Sequence, residues 1–114
     1  TLLMNQAVIA GVGNIYRSEI LYLIGIHPDR PGNTLSHDEF DRLWETTVRL
    51  LRIGKRYNRI ITASPEDVGK PRSRMNAADR LLIYKKELCP KCERPIQSWS
   101  IAARTVFACD HCQQ

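Results

Sequence analysis

Cys89-Pro90-Lys91-Cys92 and Cys109-Asp110-His111-Cys112 form two Cys-x-x-Cys pairs near the end of the chain, separated by the sixteen residues 93 to 108. Two residues between ligands let one tight turn aim both sulfurs at the same ion, and four thiolates complete the tetrahedron that Zn²⁺ prefers. The spacing therefore predicts one structural Zn²⁺ held by Cys89, Cys92, Cys109 and Cys112. The insert between the pairs returns the chain as a hairpin, with strands expected over 96–101 and 105–108 and with Ala102, Ala103 and Arg104 at or near its tip. The competing reading is two disulfides. It is disfavoured because the sequence carries no signal-peptide pattern and a reducing cell keeps such pairs as thiols. His111 lies between two ligands and, with four cysteines present, is expected to be an exposed polar residue.

A chain of 114 residues allows one modest core or two small modules. No run approaches the roughly 18 apolar residues of a membrane span, so no membrane partner is expected. The chain opens at Thr1 and reaches its first methionine, Met4, already inside an apolar pattern, so it is read as a piece of a longer protein.

The formal charge of +5 is unevenly spread. Residues 1–48 carry three basic and six acidic side chains, residues 49–86 eleven and three, and residues 87–114 three and three. The middle third thus holds a net +8, from Arg49, Arg52, Lys55, Arg56 and Arg59 to Lys70, Arg72, Arg74, Arg80, Lys85 and Lys86. Such a stretch either is a solvated face or binds a polyanion through its phosphates. Beside a zinc hairpin, nucleic acid is the better reading.

Leu2, Leu3, Gln6, Ala7 and Ile9 fit the last turns of a helix that is expected to stop at Gly11 and Gly13. Asn14 is then placed to cap a second helix with Ile15, Ile20, Leu21, Leu23 and Ile24 as its apolar stripe, ended by Gly25 and Pro28. A helix N-terminus at that turn would suit a phosphate. Residues 27–35 read as a loop. Ser36 and Glu39 form a capping box for a helix running to about Ile53, where Gly54 permits an exit. Its expected core face is Phe40, Leu43, Trp44, Thr47, Val48 and Leu51. Residues 62–76 show no periodicity and read as a long, mobile loop, and residues 77–84 fit a short helix or a strand equally.

Gly11-Val12-Gly13-Asn14-Ile15-Tyr16-Arg17-Ser18-Glu19, the later Gly25-Ile26-His27-Pro28, and the four-cysteine hairpin with Arg104 together resemble the formamidopyrimidine-DNA glycosylase and endonuclease VIII family of bacterial base-excision repair enzymes. The resemblance covers nearly the whole chain and corresponds to the C-terminal half of those proteins. It implies a mainly α fold, a helix-two-turn-helix bundle followed by a small β-hairpin zinc finger. The expected division is a DNA-binding module over 1–60, a basic connecting segment over 61–84 and the zinc finger over 85–114.

The resemblance further implies that Asn14, with the Gly13 backbone beside it, contacts a DNA phosphate next to a lesion, and that Arg104 grips the phosphates flanking a flipped nucleotide. A guanidinium at a rigid hairpin tip suits bidentate phosphate binding. Glu19 matches a family carboxylate and is assigned a helix-surface or packing role. The implied parent is a cytoplasmic, nucleoid-associated DNA glycosylase and abasic-site lyase. Its nucleophile, an N-terminal proline amine followed by glutamate, lies on another domain of the same parent chain, so no catalytic residue is assigned among these 114. The implied partner is double-stranded DNA with a damaged base or abasic site, extruded and attacked at C1′. Arg59-Ile60-Ile61-Thr62 and the loop after it look more like the endonuclease VIII-like branch of actinobacteria.

Several positions depart from the family pattern. Ala102-Ala103 stand where a glycine usually adjoins the arginine, and Asn5 where aspartate is usual. Tyr84 lies about two residues nearer the first zinc cysteine than its counterpart. Glu93 stands where zinc ribbons often place a glycine with positive φ. Two other classes compete, a ribosomal-type helix-two-turn-helix module that binds RNA without catalysis, and a zinc-ribbon adaptor that would need an apolar outer patch from Trp99, Val106 and Phe107.

Overall fold

The computed structural model describes the backbone of residues 2–101 and 104–114 and the side chains of 13–100 and 105–114. Two long helices, α1 (Leu2–Ile24) and α2 (His37–Tyr57), are followed by two short ones, α3 (Pro65–Val68) and α4 (Ala77–Arg80), and by the antiparallel strands β1 (Gln97–Ile101) and β2 (Arg104–Ala108). Turns of 3₁₀ helix occupy Gly32–Thr34 and Arg72–Arg74. Among the described residues no helix is long and apolar enough to cross a membrane.

The break expected at Gly11 and Gly13 is absent, because α1 runs unbroken from Leu2 to Ile24. A glycine inside a helix costs about 1 kcal/mol relative to alanine, and α1 offsets that cost by burying two of its faces. Tyr16, Ile20 and Ile24, one turn apart, pack with Ile26 and Leu50 and with the flanking Leu21, Leu35, Leu43, Ile53 and Ile60. Tyr22, on the other side, packs with Ile83, Cys89 and Cys109. The helix stops where the sequence places its glycine, since Gly25 takes φ +75°.

The capping box of α2 forms as expected. Ser36 Oγ accepts from the Glu39 amide at 3.1 Å, and Glu39 Oε1 accepts from the Ser36 amide at 2.9 Å. Arg30 adds a bidentate pair to the same carboxylate at 2.6 and 2.7 Å. The helix then continues one turn beyond the expected exit to Tyr57, where Asn58 provides the left-handed cap at φ 53°. Gly54 lies within the helix for a different reason. A Cβ there would collide with the Tyr16 hydroxyl, so the missing side chain sets how closely α1 and α2 approach.

The face of α2 also differs from expectation. Leu50 is fully buried and Leu43 packs beside it, whereas Phe40, Trp44 and Leu51 are 57, 65 and 49 % exposed. The helix carries two adjacent apolar stripes, and the fit of Leu50 and Gly54 against Tyr16 decides which one turns inward. Residues 62–76 are not a structureless loop. They hold α3, capped by Ser64 Oγ, and a 3₁₀ turn, and they bury Thr62, Ala63 and Met75.

Glu19 is the polar centre of the fold. It is fully buried, and its carboxylate accepts from the backbone amides of Leu82, Ile83 and Tyr84 at 2.5, 2.7 and 2.8 Å and from the Thr62 hydroxyl. Four donors match the acceptor capacity of two carboxylate oxygens. The carboxyl group is thus held by backbone amides and a hydroxyl, and the segment after α4 is pinned to α1.

Two outcomes are expected. Glu19→Gln turns an acceptor oxygen into an NH₂ facing amide donors, and should cost about 2–4 kcal/mol in urea unfolding. Hydrogen bonds from Arg30 and then from the Ser36 amide hold the Glu39 carboxyl down at about 2, below its ordinary 4.5. Its contribution to the α2 terminus is therefore complete above pH 4.5 and lost as pH falls toward 2. In acid titrations followed by circular dichroism, Glu39→Gln should flatten that limb.

Candidate metal centre and nucleic-acid interface

The four cysteine sulfurs come together from two turns closed by the same backbone hydrogen bond. Cys89 C=O accepts from the Glu93 amide at 2.9 Å, and Cys109 C=O accepts from the Gln113 amide at 2.9 Å. Glu93 takes φ 62°, the left-handed conformation for which glycine is the usual residue at such a turn. The antiparallel pairing of β1 and β2, from Gln97 with Ala108 to Ile101 with Arg104, carries one turn onto the other.

All four Sγ atoms lie within 4.8 Å of one another, and all four cysteines are free thiols. Cys89 to Cys112 is 3.8 Å and Cys92 to Cys109 is 3.5 Å. A tetrahedron with bonds of about 2.3 Å to sulfur has edges of about 3.8 Å, so the arrangement fits a tetrathiolate ion. His111, as expected, is exposed and outside the cluster.

The electrostatics favour a cation at the centre. Burial pushes the Cys89 thiol up, but hydrogen bonds from the Tyr22 hydroxyl and from the backbone amides of Cys92 and Lys91 outweigh it and bring the group down to about 6. Burial, with hydrogen bonding to Cys89, Cys92 and Cys109, pushes Cys112 up to about 12. Burial also raises Cys109. Cys89 ionises more readily than an ordinary thiol while Cys109 and Cys112 resist, a resistance that a cation among the sulfurs would relieve.

The hairpin is fastened to α1 and to the Gly25-Ile26-His27 turn along its length. Asn14 Nδ2 donates to Thr105 C=O at 2.8 Å. Gln113 accepts from the Cys109 amide at 2.8 Å and donates to Ile26 C=O at 2.9 Å, both buried. His27 Nε2 lies 2.8 Å from Asp110 Oδ1, and its ring stacks on Trp99 at 5.4 Å. Tyr84 meets Phe107 edge-on at 5.0 Å, and Val106 is buried. Trp99, Val106 and Phe107 are therefore engaged within the chain, which removes the outer patch a zinc-ribbon adaptor would need.

Of the residues expected to touch DNA, Gly13 is exposed on α1, with open space where a Cβ would stand. Asn14 does not cap a helix. It sits inside α1, 9 % exposed, where the backbone continues without a terminus, so the free amides expected for phosphate binding are not presented there. Its bond to Thr105 brings it beside β2, whose first residue is Arg104. Asn14 thus reaches across ninety-one residues of sequence to the start of β2. The Arg104 side chain and the tip residues Ala102 and Ala103 lie outside the described residues. Arg49, Arg52, Lys55, Arg56 and Arg59 are all exposed on or just after α2.

Sequence reasoning missed Glu19 as an organiser, Tyr22 at the cysteine cluster and Gln113 between the hairpin and the turn after α1. The partners of Glu19 and Gln113 are mostly backbone groups, which leave no trace in side-chain patterns. A hydroxyl within the run Ile20-Leu21-Tyr22-Leu23-Ile24 was the one available signal for Tyr22.

Comparison with known proteins agrees with this architecture. Residues 1–65 match the formamidopyrimidine-DNA glycosylase H2TH domain. The chain is 42 % identical over 115 residues to endonuclease 8 1 of Mycobacterium bovis, covering 98 % of this chain and 42 % of that protein. It is 39 % identical over 115 residues to formamidopyrimidine-DNA glycosylase of Salmonella paratyphi C, with the same coverage. The Lactococcus lactis Fpg (MutM) complex with DNA containing FAPY-dG superposes with a TM-score of 0.68 at 29 % identity, over 89 % of this chain and 36 % of that one. The chain spans about two fifths of the length of the curated relatives it matches. The domain match, the helical body and the four-cysteine hairpin agree, and the chain belongs to the formamidopyrimidine-DNA glycosylase and endonuclease VIII family.

Proposed function

We propose that the chain is the DNA-binding part of a base-excision repair glycosylase and abasic-site lyase, and that its four-cysteine hairpin is a zinc finger. The observation that carries the reading is the Asn14 to Thr105 bond, which sets the α1 motif beside the strand that begins with Arg104. The proposed contacts to DNA are Gly13, Asn14 and Arg104. Asn14 has spent one N–H on Thr105 and retains a second for a phosphate oxygen. Arg104 supplies a charged fork to the strand backbone, and the exposed basic side chains from Arg49 to Arg59 extend the positive surface without reading sequence.

Zn²⁺ is the ion assigned to Cys89, Cys92, Cys109 and Cys112, on the strength of a tetrahedral all-sulfur donor set. Its role is structural, since four thiolates leave no open position for substrate. It supplies a rigid centre for the two turns. The chain's own residues do the rest. Asn14 holds the hairpin edge to α1 beside the strand that begins with Arg104, and Gln113 and His27 hold its base. The proline nucleophile that would attack C1′ belongs to another domain of the proposed parent, so this part grips and orients the damaged duplex but performs no bond cleavage. The substrate class is DNA with an oxidised pyrimidine or an abasic site, as the Arg59 to Thr62 stretch favours the endonuclease VIII-like branch.

Arg104→Ala should weaken binding to a duplex carrying a tetrahydrofuran abasic analogue by about 1–3 kcal/mol, and reduce the salt dependence by about one phosphate contact. Unchanged affinity at low salt would overturn the assignment. Chelation should release one zinc per chain and abolish hairpin structure. The helical signal of α2, which shares no core with the cysteines, should largely survive. Mass spectrometry and circular dichroism read the two effects separately.

A further inference from the structure

We infer that Tyr22, on α1, is an outer-shell hydrogen-bond donor to the Cys89 thiolate, so that the metal centre is completed by a residue outside the hairpin that holds it. The inference rests on the reading of the cluster as a zinc site and concerns this chain's own residue toward it.

Tyr22 is 1 % exposed, and its hydroxyl lies 3.1 Å from Cys89 Sγ, which is equally buried. The two residues are 67 positions apart, so the contact is made by the fold. Tyr22 stands in an otherwise aliphatic run, and a buried hydroxyl without a partner costs a few kcal/mol. Here the partner is a sulfur of the cluster. A metal-bound thiolate carries no proton, so the hydroxyl must be the donor and sulfur the acceptor. The Lys91 ammonium sits 5.4 Å from the centroid of the same ring. Its positive charge draws electron density from the ring and strengthens the O–H as a donor.

Four thiolates on one divalent ion leave a net charge of about −2, buried here against α1. A hydrogen bond at Cys89 spreads part of that charge onto the hydroxyl, stabilising the loaded site and lowering the energy of the sulfur lone pairs. Tyr22 is a positioning residue in this sense. It touches no substrate, and it makes full metal affinity depend on the hairpin being docked on α1.

The test compares the wild-type chain with Tyr22→Phe, which keeps the ring and removes only the hydroxyl. Zinc affinity is measured by competition with a chromogenic chelator, and the sulfur environment by the sulfur-to-metal charge-transfer band of the cobalt-substituted protein. Tyr22→Phe should bind one metal with an affinity lower by about 10- to 100-fold, and its band should move to lower energy while the d–d bands stay tetrahedral. Global replacement of tyrosine by 3-fluorotyrosine, a stronger donor, should move the band the opposite way. Affinity within twofold of wild type together with an unmoved band in both proteins would overturn the inference and leave the zinc site standing. A wild-type chain with no tetrathiolate cobalt spectrum would overturn the zinc reading, and the inference with it.

Discussion

A single buried carboxylate organises the molecule. Glu19 lies buried at the centre of the fold, and four donors from two distant segments converge on its carboxyl oxygens. Leaving any of those donors unpaired in a low-dielectric interior costs more than the net worth of one hydrogen bond, because the group has lost its water as well. The segment from Leu82 to Tyr84 therefore has one acceptable position on α1. That segment leads into Cys89, so the first cysteine turn inherits its placement from Glu19. The same helix reaches the hairpin again through Asn14 and Tyr22.

The parts of the structure most legible in the sequence were those whose chemistry is local. Ser36 and Glu39 sit three residues apart and satisfy each other's backbone. Cys-x-x-Cys is a turn that aims two sulfurs at one point within four residues, and Gly25 ends a helix by itself. The bond between Asn14 and Thr105, which joins the α1 motif to the hairpin, leaves no local signal. Illegibility began where the outcome depended on packing between segments. Gly11 and Gly13 read as a break, yet α1 continues because burial on two faces outweighs two modest backbone penalties. Phe40 and Trp44 read as core on α2 because they are large and correctly spaced, and the smaller Leu50 lies inside instead. Apolar spacing fixes that a helix has an inner side, and only the shape of the neighbour selects it.

The distribution of charge follows the same division of labour. Two of the six acidic groups among residues 1–48 are spent on structure, Glu19 in the interior and Glu39 at a helix start with Arg30. Part of the basic middle is spent likewise, with Lys70 on Asp79 at 2.8 Å and the Lys86 ammonium donating to Ala78 C=O at 2.7 Å. The basic residues on and just after α2 stay exposed, which leaves a concentrated positive surface on a helix that is itself fixed against α1. Rigid placement of charge lets a protein hold a polyanion in one orientation rather than merely near it.

The contact between Tyr16 and Gly54 bears on how tolerance to mutation would be interpreted in this chain. The helix pair is spaced by the width of a phenol hydroxyl against a bare backbone, and any side chain at 54 must push the helices apart or expel the tyrosine. In a saturation scan, position 54 would register a cost of substitution although its nearest neighbour is the end of the Tyr16 side chain. Its signal would report the gauge of a helix interface. Ranking sites by fitness cost alone would then fold a spacing constraint into the functional map, and only a paired substitution that shortens residue 16 would separate the two.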